Sequence, residues 1–329
     1  MKITMAHGSG GKSTSELIAN IFAKHFNNPV LAQMEDSSVV EGAANLAMTT
    51  DSFVVTPVVF AGGDIGRLAV CGTVNDLLMS GSVPKYLTCG FILEEGCDTE
   101  ELEKLVASMA LTAKEANVTI VAGDTKVVEG KGGLYINTAG VGFLPPQGRL
   151  FGAANCKAGD TVLVSGNLGD HHAAILSARM NIQNTIQSDC APLNEMVDAL
   201  KQNHVNVRAM RDVTRGGLAT VLNEFASASQ CGIELEEPKL PVSEQVRGFC
   251  GILGLDPLYM GNEGKMTVVV AEEDAEKALE CIRHSKYGEN AAIIGKVIAE
   301  EPGKVLLKTA IGGTRIVTEL YGEGLPRIC

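Results

Sequence analysis

Five aspartates stand where apolar runs of the sequence begin or end, and glycine-rich turns accompany several of them. Hard divalent cations bind oxygen ligands, and Mg²⁺ commonly bridges carboxylates to the phosphates of a nucleotide. One such aspartate alone indicates nothing, but the set indicates an enzyme that uses ATP with magnesium. The five residues are Asp36, Asp51, Asp76, Asp124 and Asp212.

Two glycine-rich segments could bind phosphate groups beside these carboxylates. The first precedes an amphipathic helix, which the pattern Ser13–Glu16 is expected to cap. Because too few residues precede it to form a core strand, we expect a mobile loop that covers phosphates rather than a true P-loop. In the second, Arg211–Gly217, a glycine pair at a helix start follows Asp212, which suits a metal-bound phosphate. The candidate contacts are Gly8, Gly10, Gly11, Lys12, Arg211 and Gly216.

Asp76 interrupts an otherwise apolar helix predicted over residues 65–80. Burying a carboxylate there costs several kcal/mol unless a metal ion or another partner satisfies it. The alternative is that Asp76 caps the helix or lies at an exposed edge. A second aspartate, Asp124, follows the predicted strand 118–122 and belongs to the motif Gly123–Lys126. The carboxyl ends of strands are where α/β sheets usually bind ligands.

The sequence ends on a cysteine, Cys329, in a segment that contains two glycines and Pro326. Glycine permits unusual backbone angles and proline forbids helix, so an extended segment is predicted. Eight extended residues reach roughly 25 Å, which is enough to carry the thiol into a distant cleft. The alternative is a frayed terminus whose last residue happens to be cysteine. The adjacent pair His171-His172 is interpreted as structural or polar-surface rather than metal-binding.

Composition limits the class of protein. The net charge is −12 and there is no run of lysine or arginine, so we expect no nucleic-acid partner. Nine cysteines without a C-x-x-C pair indicate a reducing cytoplasm rather than a disulfide scaffold. No apolar run approaches 18 residues, so no membrane segment is predicted.

The alternating strand and helix patterns predict an α/β protein with layers of the α+β type, divided into two domains. We place the N-terminal domain at residues 1–146, because the break Pro145–Gly148 follows a strand predicted over 134–144. The C-terminal domain is placed at 147–312 and a mobile tail at 313–329.

Seven motifs occur in an order that resembles the HypE family, the carbamoyl dehydratases of nickel–iron hydrogenase maturation. The resemblance runs essentially end to end. A wider superfamily, which includes aminoimidazole ribonucleotide synthetase, selenophosphate synthetase and thiamine-phosphate kinase, shares the aspartates, whereas the ending Pro-Arg-Ile-Cys distinguishes HypE. His172 departs from the family pattern, in which a small residue is expected. The motifs are His7–Lys12, Glu35–Ser38, Thr50–Ser52, Asn75-Asp76, Gly123–Lys126, Arg211–Gly217 and Pro326–Cys329.

The resemblance implies a two-domain aminoimidazole ribonucleotide synthetase-like fold whose N-terminal domain forms a homodimer through its strands, with ATP between the domains. It makes four aspartates the Mg²⁺ ligands and adds further nucleotide contacts to the glycine segments. The implied metal ligands are Asp36, Asp51, Asp76 and Asp212. The implied further nucleotide contacts are Asp51, Asn75, Gly123, Asp124 and Thr125.

The resemblance also implies the chemistry. A carbamoyltransferase, HypF, would load a carboxamide onto the Cys329 sulfur, and ATP-dependent dehydration would give a thiocyanate whose cyanide passes to iron on a HypC–HypD scaffold. Because the nitrogen must lose protons, a base is needed near the sulfur. Glu263 and Lys126 are the candidates, and which is the base stays open. Two alternatives remain: an ATP-dependent small-molecule phosphotransferase of the same superfamily, and a nucleotide-binding scaffold whose tail only docks partners.

Overall fold

The computed structural model describes residues 1–9, 11–34, 37–148 and 150–320. They form two α/β halves, each built around its own sheet, which confirms the predicted fold class. The predicted boundary after residue 146 lies in the irregular segment that joins the last strand of the first sheet to the second half.

The N-terminal half holds a four-stranded sheet with two long helices on one face. Its elements are α1 Lys12–Leu17 (continued by a π-helical segment Ile18–Ala23), β1 Asn45–Phe53, β2 Val59–Phe60, β3 Gly63–Asp64, α2 Ile65–Met79, β4 Val83–Glu94, α3 Thr99–Glu115, β5 Thr119–Val128 and β6 Leu134–Leu144. The strand order is β1-β6-β4-β5, and only the pair β4 and β5 is parallel. Strands β1 and β5 are therefore the two edges of this sheet.

The C-terminal half is built on a seven-stranded sheet of order β13-β12-β9-β11-β7-β10-β8. Its elements are β7 Thr161–Val164, α4 Asp170–Met180, α5 Asn194–Gln202, β8 Val207–Asp212, α6 Gly217–Ser229, β9 Gly232–Glu236, α7 Glu244–Leu253, β10 Met266–Val270, α8 Ala275–Arg283, β11 Ala292–Ile298, β12 Val305–Lys308 and β13 Thr314–Val317. Buried side chains of both halves join in one hydrophobic cluster, so the halves pack directly on each other.

Helix α2 lies at the centre of that packing. Its sequence is apolar on every side, as expected of a helix surrounded by protein, and all its residues except Arg67 and Asp76 are buried. Asp64 caps its start by accepting a hydrogen bond from the Arg67 N–H at 2.9 Å. Asp76 lies in the last turn of the helix and is partly exposed. It is therefore neither a fully buried residue nor a cap of the helix.

Three local predictions are wrong. Strand β5 continues through Val128, so Asp124 is in mid-strand rather than at a strand end, because β4 pairs with it along its whole length. Helix α1 begins at Lys12 with Gly11 at its N-cap, two residues before the predicted cap at Ser13. Strand β13 pairs with β12 inside the range assigned to the tail, so the C-terminal domain extends at least to Val317.

No helix within the described part of the chain has both the length and the apolar character needed to cross a membrane.

Candidate active site

Three carboxylates from three different elements meet at the interface between the halves. Asp51 comes from edge strand β1, Asp76 from the last turn of α2, and Asp212 from the end of β8. The Thr49 hydroxyl donates a hydrogen bond to Asp76 Oδ2 at 2.7 Å, which orients that carboxylate. Asp76 and Asp212 both line a cleft of about 560 Å³ between the halves, together with Arg211. The structure thus brings together three of the four predicted metal ligands.

The pKa values of Asp51 and Asp212 are raised, because burial and repulsion between carboxylates outweigh the nearby guanidinium groups. Burial, followed by the charge of Asp76, raises the pKa of Asp212 to about 7. Burial and Asp76 also raise the pKa of Asp51 to about 6, and the Arg215 guanidinium opposes this rise. Like charges in a low-dielectric interface disfavour one another's ionised form. A cation placed among these oxygens would relieve that repulsion.

The donor set fits Mg²⁺. All the converging groups are oxygen donors, which is what a hard divalent cation requires. Among the described residues, no three His, Cys, Asp or Glu side chains converge tightly enough to hold a metal ion without other ligands. Mg²⁺ usually takes one or two carboxylates and completes its shell with water and substrate phosphates, so this looser arrangement suits a nucleotide-bound ion.

Glu263 lies beside the carboxylate cluster on the loop Gly261–Lys265. It is 8% exposed, and burial, Asp212 and Asp189 together raise its pKa well above the usual range. Its backbone N–H donates to Asp189 Oδ1 at 3.0 Å. A carboxylate whose pKa is raised by burial and by neighbouring charges is a common condition of a general base or acid. The prediction of Glu263 as a catalytic candidate is compatible with this placement.

Asn75 does not present its side chain to a nucleotide. Its Nδ2 donates to the Ala191 carbonyl at 3.0 Å and to the Glu263 carbonyl at 3.4 Å. Its Oδ1 accepts a hydrogen bond from the Leu193 N–H at 3.0 Å. With the residue only 2% exposed, Asn75 has a structural role here, and its predicted contact with the nucleotide has no support in the structure.

A second group of predicted residues lies on β5. Asp124 and Lys126 form an exposed salt bridge at 2.8 Å. A Cβ on Gly8 would approach Val127 within 2.8 Å, so the first glycine segment lies directly against this strand. A cavity of about 250 Å³ opens between β5 and the α1 region, and Gly123, Asp124 and Thr125 line it. Gly11 and Lys12 cap and begin α1 nearby.

The two groups are not adjacent within one chain. Asp51 pairs with Thr138 on β6, Thr138 with Cys89 on β4, and Cys89 with Gly123 on β5. Three strand spacings separate the edges by about 14 Å. The register places Lys126 next to Ile92, on the sheet face opposite α2. The structure therefore does not bring Lys126 to Glu263 in one chain.

The remaining predicted contacts lie around the start of α6. Gly216 is the N-cap of this helix with φ +81°, and a Cβ there would approach Thr220 Oγ1 within 2.3 Å. Glycine is therefore required at this position. Arg211 Nη2 pairs with Glu224 Oε2 at 3.2 Å and is half-exposed. Gly10, Asp36 and Cys329 lie outside the described residues. Ser38, two residues after Asp36 in the sequence, donates to the Val121 carbonyl on β5.

His171 and His172 are buried at the start of α4, in agreement with the structural interpretation. Burial lowers the pKa of both imidazoles to about 4. His171 Nδ1 lies 2.8 Å from Ser188 Oγ, and the Gly261 N–H donates to His172 Nδ1 at 3.4 Å. The second histidine therefore supports the loop that carries Glu263.

Sequence reasoning missed three residues of the site. Arg215 belongs to the Arg211–Gly217 motif but was not selected, and it is the cation that acts on Asp51. Lys265 follows Glu263 in the loop, and its side chain is 8% exposed. Asp189 lies in an irregular stretch without a motif, so only the fold reveals it.

Two related protein families match most of the chain. The family described as AIR synthase related protein, N-terminal domain, matches residues 34–144. The family described as AIR synthase related protein, C-terminal domain, matches residues 157–308.

Individual proteins match over nearly the whole length. The carbamoyl dehydratase HypE of Rhodobacter capsulatus is 48% identical over 336 residues, covering 100% of this chain and 98% of the relative. A crystal structure of the hydrogenase maturation protein HypE in complex with ATP superposes with a TM-score of 0.94 at 46% identity, covering 99% of both chains. A crystal structure of a HypE–HypF complex gives a TM-score of 0.80 at 47% identity, covering 92% of this chain and 99% of that one.

Proposed function

This chain belongs to the HypE family of carbamoyl dehydratases, and on that premise we propose that it uses ATP to dehydrate a carboxamide carried on the sulfur of its own Cys329. The product is a thiocyanate, which supplies the cyanide ligands of a nickel–iron hydrogenase. The observation that supports this most strongly is Glu263, a buried carboxylate of raised pKa beside the Asp51, Asp76 and Asp212 cluster.

The reaction balances as one carboxamide and ATP giving one thiocyanate, ADP and phosphate. The amide oxygen attacks the terminal phosphorus of ATP, and the bond from that phosphorus to the bridging oxygen of ADP breaks. The nitrogen then loses both protons, one to the base and one to the departing phosphate, while the carbon–oxygen bond breaks and the oxygen leaves as part of that phosphate. Phosphorylation is needed because an amide oxygen is by itself a very poor leaving group.

The residues of this chain divide the work between charge and proton transfer. Glu263 is the proposed base that removes a proton from the carboxamide nitrogen, because a carboxylate of raised pKa is a stronger base. Asp51, Asp76 and Asp212, with Asp36 outside the described residues, would hold Mg²⁺. When bound, the ion neutralises charge on the phosphates, and catalysis of phosphoryl transfer is largely positioning and charge neutralisation.

The cavity beside β5 is the proposed subsite for the adenine ring. It is lined mainly by apolar side chains, including Ile18, Phe22 and Met34, and it ends at Asp124 and Thr125. A pocket of this kind, apolar with a few polar groups at one end, suits a heterocycle joined to a sugar. The first glycine segment lies against the same strand and would cover the phosphates.

Filling this cavity is expected to weaken ATP binding selectively. Ala23 lies partly buried in the cavity wall. We expect Ala23→Leu to raise the ATP concentration that gives half-maximal rate by on the order of tenfold, equivalent to about 1.4 kcal/mol, because the added atoms occupy the space of the base. Ala178→Leu, on an exposed position of α4, is the matched control. Equal ATP dependence of the two variants would place the adenine ring elsewhere.

A second copy of the chain is proposed to complete the site. Among the described residues, the outer edges of strands β1 and β5 pair with no further strand, and proteins usually cover such edges. The sheet face opposite α2 exposes large apolar side chains, including Met48 at 72% and Ile92 at 45%. Pairing of two such sheets would cover both the edges and this face. It would also allow Lys126 of one chain to approach the carboxylate cluster of the other.

Ile92→Asp is therefore expected to give a monomer with strongly reduced dehydration. An aspartate on this face would have to be buried without a partner, which costs several kcal/mol. Sedimentation velocity measures the oligomeric state. Ile252→Asp, which alters an 84%-exposed isoleucine on α7, should leave that state unchanged. A dimer that persists in Ile92→Asp would exclude this face as the interface.

The proposed partners are the carbamoyltransferase HypF, supported by the HypE–HypF complex of a similar chain, and a HypC–HypD iron scaffold as acceptor. We propose that these reactions take place in the cytoplasm. The eight cysteines within the described residues are free thiols, as expected in a reducing compartment.

The experiment that tests the proposed function is intact mass after incubation with the carbamoyltransferase, carbamoyl phosphate and Mg-ATP. We expect a carbamoyl adduct on Cys329 that then loses one water, and no adduct on Cys329→Ala. ATP hydrolysis on a free metabolite with Cys329 unmodified would instead indicate a small-molecule phosphotransferase. ATP binding without any turnover would indicate a scaffold.

A further inference from the structure

An irregular segment, Ser188–Leu193, lies between helix α2 and the loop that carries Glu263. On the helix side, Arg67 Nε donates to the Cys190 carbonyl at 2.8 Å. Asn75 binds the same segment through the Ala191 carbonyl and the Leu193 N–H. Arg67 and Asn75 are eight residues apart and therefore lie on one face of α2. The segment is thus fixed to the helix that also carries Asp76.

On the other side, the segment holds the backbone of the Glu263 loop. The Glu263 N–H donates to Asp189 Oδ1 at 3.0 Å, and the Ala191 N–H reaches the Glu263 carbonyl at 3.5 Å. A Cβ on Gly264 would lie 1.9 Å from the Asp189 carbonyl oxygen. Both neighbouring peptide groups of Glu263 are therefore packed against Ser188–Leu193 without space for adjustment.

Asp189 has a buried carboxyl group at this junction. Its side chain is 3% exposed and lies 3.5 Å from Lys265 Nζ, whose side chain is 8% exposed. Within the described residues, Asp189 Oδ2 accepts no hydrogen bond. Removing two charges from water is costly, and a buried ion pair is often no more stable than well-packed apolar residues. Stability alone therefore does not explain an acidic residue at this position. Its contacts with the loop beside the carboxylate cluster do explain it.

We propose that Asp189 is a positioning residue for the dehydration. Its Oδ1 fixes the backbone of Glu263, and its pairing with Lys265 fixes the far end of the same loop, so that the Glu263 carboxylate is held near Asp212. The inference rests on the proposed role of Glu263. Asp189 itself does not contact the substrate, and it acts through Glu263.

The test uses full-length chain that has been carbamoylated on Cys329 and is then mixed with saturating Mg-ATP. The rate constant for loss of water is measured in a single turnover. We expect Asp189→Ala to slow it by about 100-fold and the isosteric Asp189→Asn by about 10-fold, since misplacement of a catalytic group by an ångström has effects of that size. When the ATP concentration is varied, the concentration that gives half-maximal rate should change by less than about twofold, because Asp189 is not proposed to contact the nucleotide.

Asp160→Asn is the matched control. Asp160 is also buried, accepts a backbone hydrogen bond from the Lys157 N–H at 2.7 Å and pairs with Arg208 at 3.3 Å. It precedes β7, at the end of the strand away from the Glu263 loop. A slowing in Asp189→Asn that merely matches Asp160→Asn would overturn the inference. If Asp189→Ala does not fold, Asp189→Asn alone is compared with Asp160→Asn.

A double-mutant cycle separates positioning from general stability. If Asp189 acts through Glu263, Glu263→Gln combined with Asp189→Asn is no slower than Glu263→Gln alone, because the effect of Asp189 has already been lost. Multiplying rate losses would contradict the inference. If Glu263→Gln itself dehydrates at the wild-type rate, the proposed base is wrong. If Glu263→Gln is inactive while both Asp189 variants are fully active, only the positioning inference fails.

Discussion

Glu263→Gln is expected to stop loss of water from the carbamoylated chain while leaving the loading of the carboxamide and the binding of ATP intact. Glutamine keeps the size of the side chain and removes the group that takes the proton. Loss of a positioned general base typically slows a reaction by about 10²–10⁴-fold. The single-turnover rate of water loss, followed by intact mass, measures this directly.

The pH dependence gives a second readout of the same substitution. Burial raises the pKa of Glu263 well above the usual range of a carboxylate. A base acts only when deprotonated, so the rate in the wild type should rise as the pH passes upward through that pKa. The residual rate of Glu263→Gln should lack this rise. An unchanged pH profile in Glu263→Gln would mean that another group supplies the base.

Lys126→Met tests the other candidate. Lys126 is 66% exposed and paired with Asp124 on the sheet face opposite α2. It can therefore reach the carboxylate cluster only from a second chain, and we expect its removal to slow water loss less than Glu263→Gln does. A larger loss in Lys126→Met would reverse the two assignments.

The sequence predicted the local chemistry of the site better than its arrangement. Asp51 and Asp212 stand at the edges of apolar runs and Asp76 interrupts one, and an acidic residue at such a point is a local signal. Their convergence across β1, α2 and β8 follows from the fold class. Asp189 carries no such signal, because only long-range packing brings its irregular segment to Glu263.

Strand β5 shows why position within an element was harder to predict. Gly123 interrupts the apolar run, and glycine inside a strand pattern normally indicates an end or a bulge. The strand nevertheless continues to Val128, because β4 pairs with it on both sides of a register shift at Val121, and Asp124 and Lys126 then point away from α2. A local pattern indicates that these residues are polar, but strand pairing decides which face they occupy.

Asp212→Asn is expected to abolish ATP-dependent dehydration and, at the same time, to make the metal-free protein more stable. The buried carboxylate of Asp212 has a pKa raised from 3.8 to about 7, first by burial and then by Asp76. The folded state therefore holds a proton that the unfolded state has lost between these two values. Above pH 7 the folded protein carries a buried charge that the neutral amide removes. Stored repulsion of this kind is a common cost of a functional site.

The raised pKa of Asp212 determines the pH range over which the stability difference appears. The stability difference between Asp212→Asn and the wild type should be full above about pH 7 and should fade as the pH falls towards 4, where both states of the wild type are protonated. Its upper limit is about 4 kcal/mol, from roughly 1.4 kcal/mol for each unit of pKa shift. Urea unfolding in EDTA at pH 8 and pH 5 measures it.

The control is again Asp160→Asn, which removes a buried carboxylate that already has partners. Asp160 accepts from the Lys157 N–H and pairs with Arg208, so its loss should lower stability at pH 8 rather than raise it. A decrease in Asp212→Asn as well would show that Asp212 is satisfied by the protein alone. An increase confined to Asp212→Asn, removed when Mg-ATP stabilises the wild type, would identify this carboxylate as one that the fold keeps unpaired for a cation and a nucleotide.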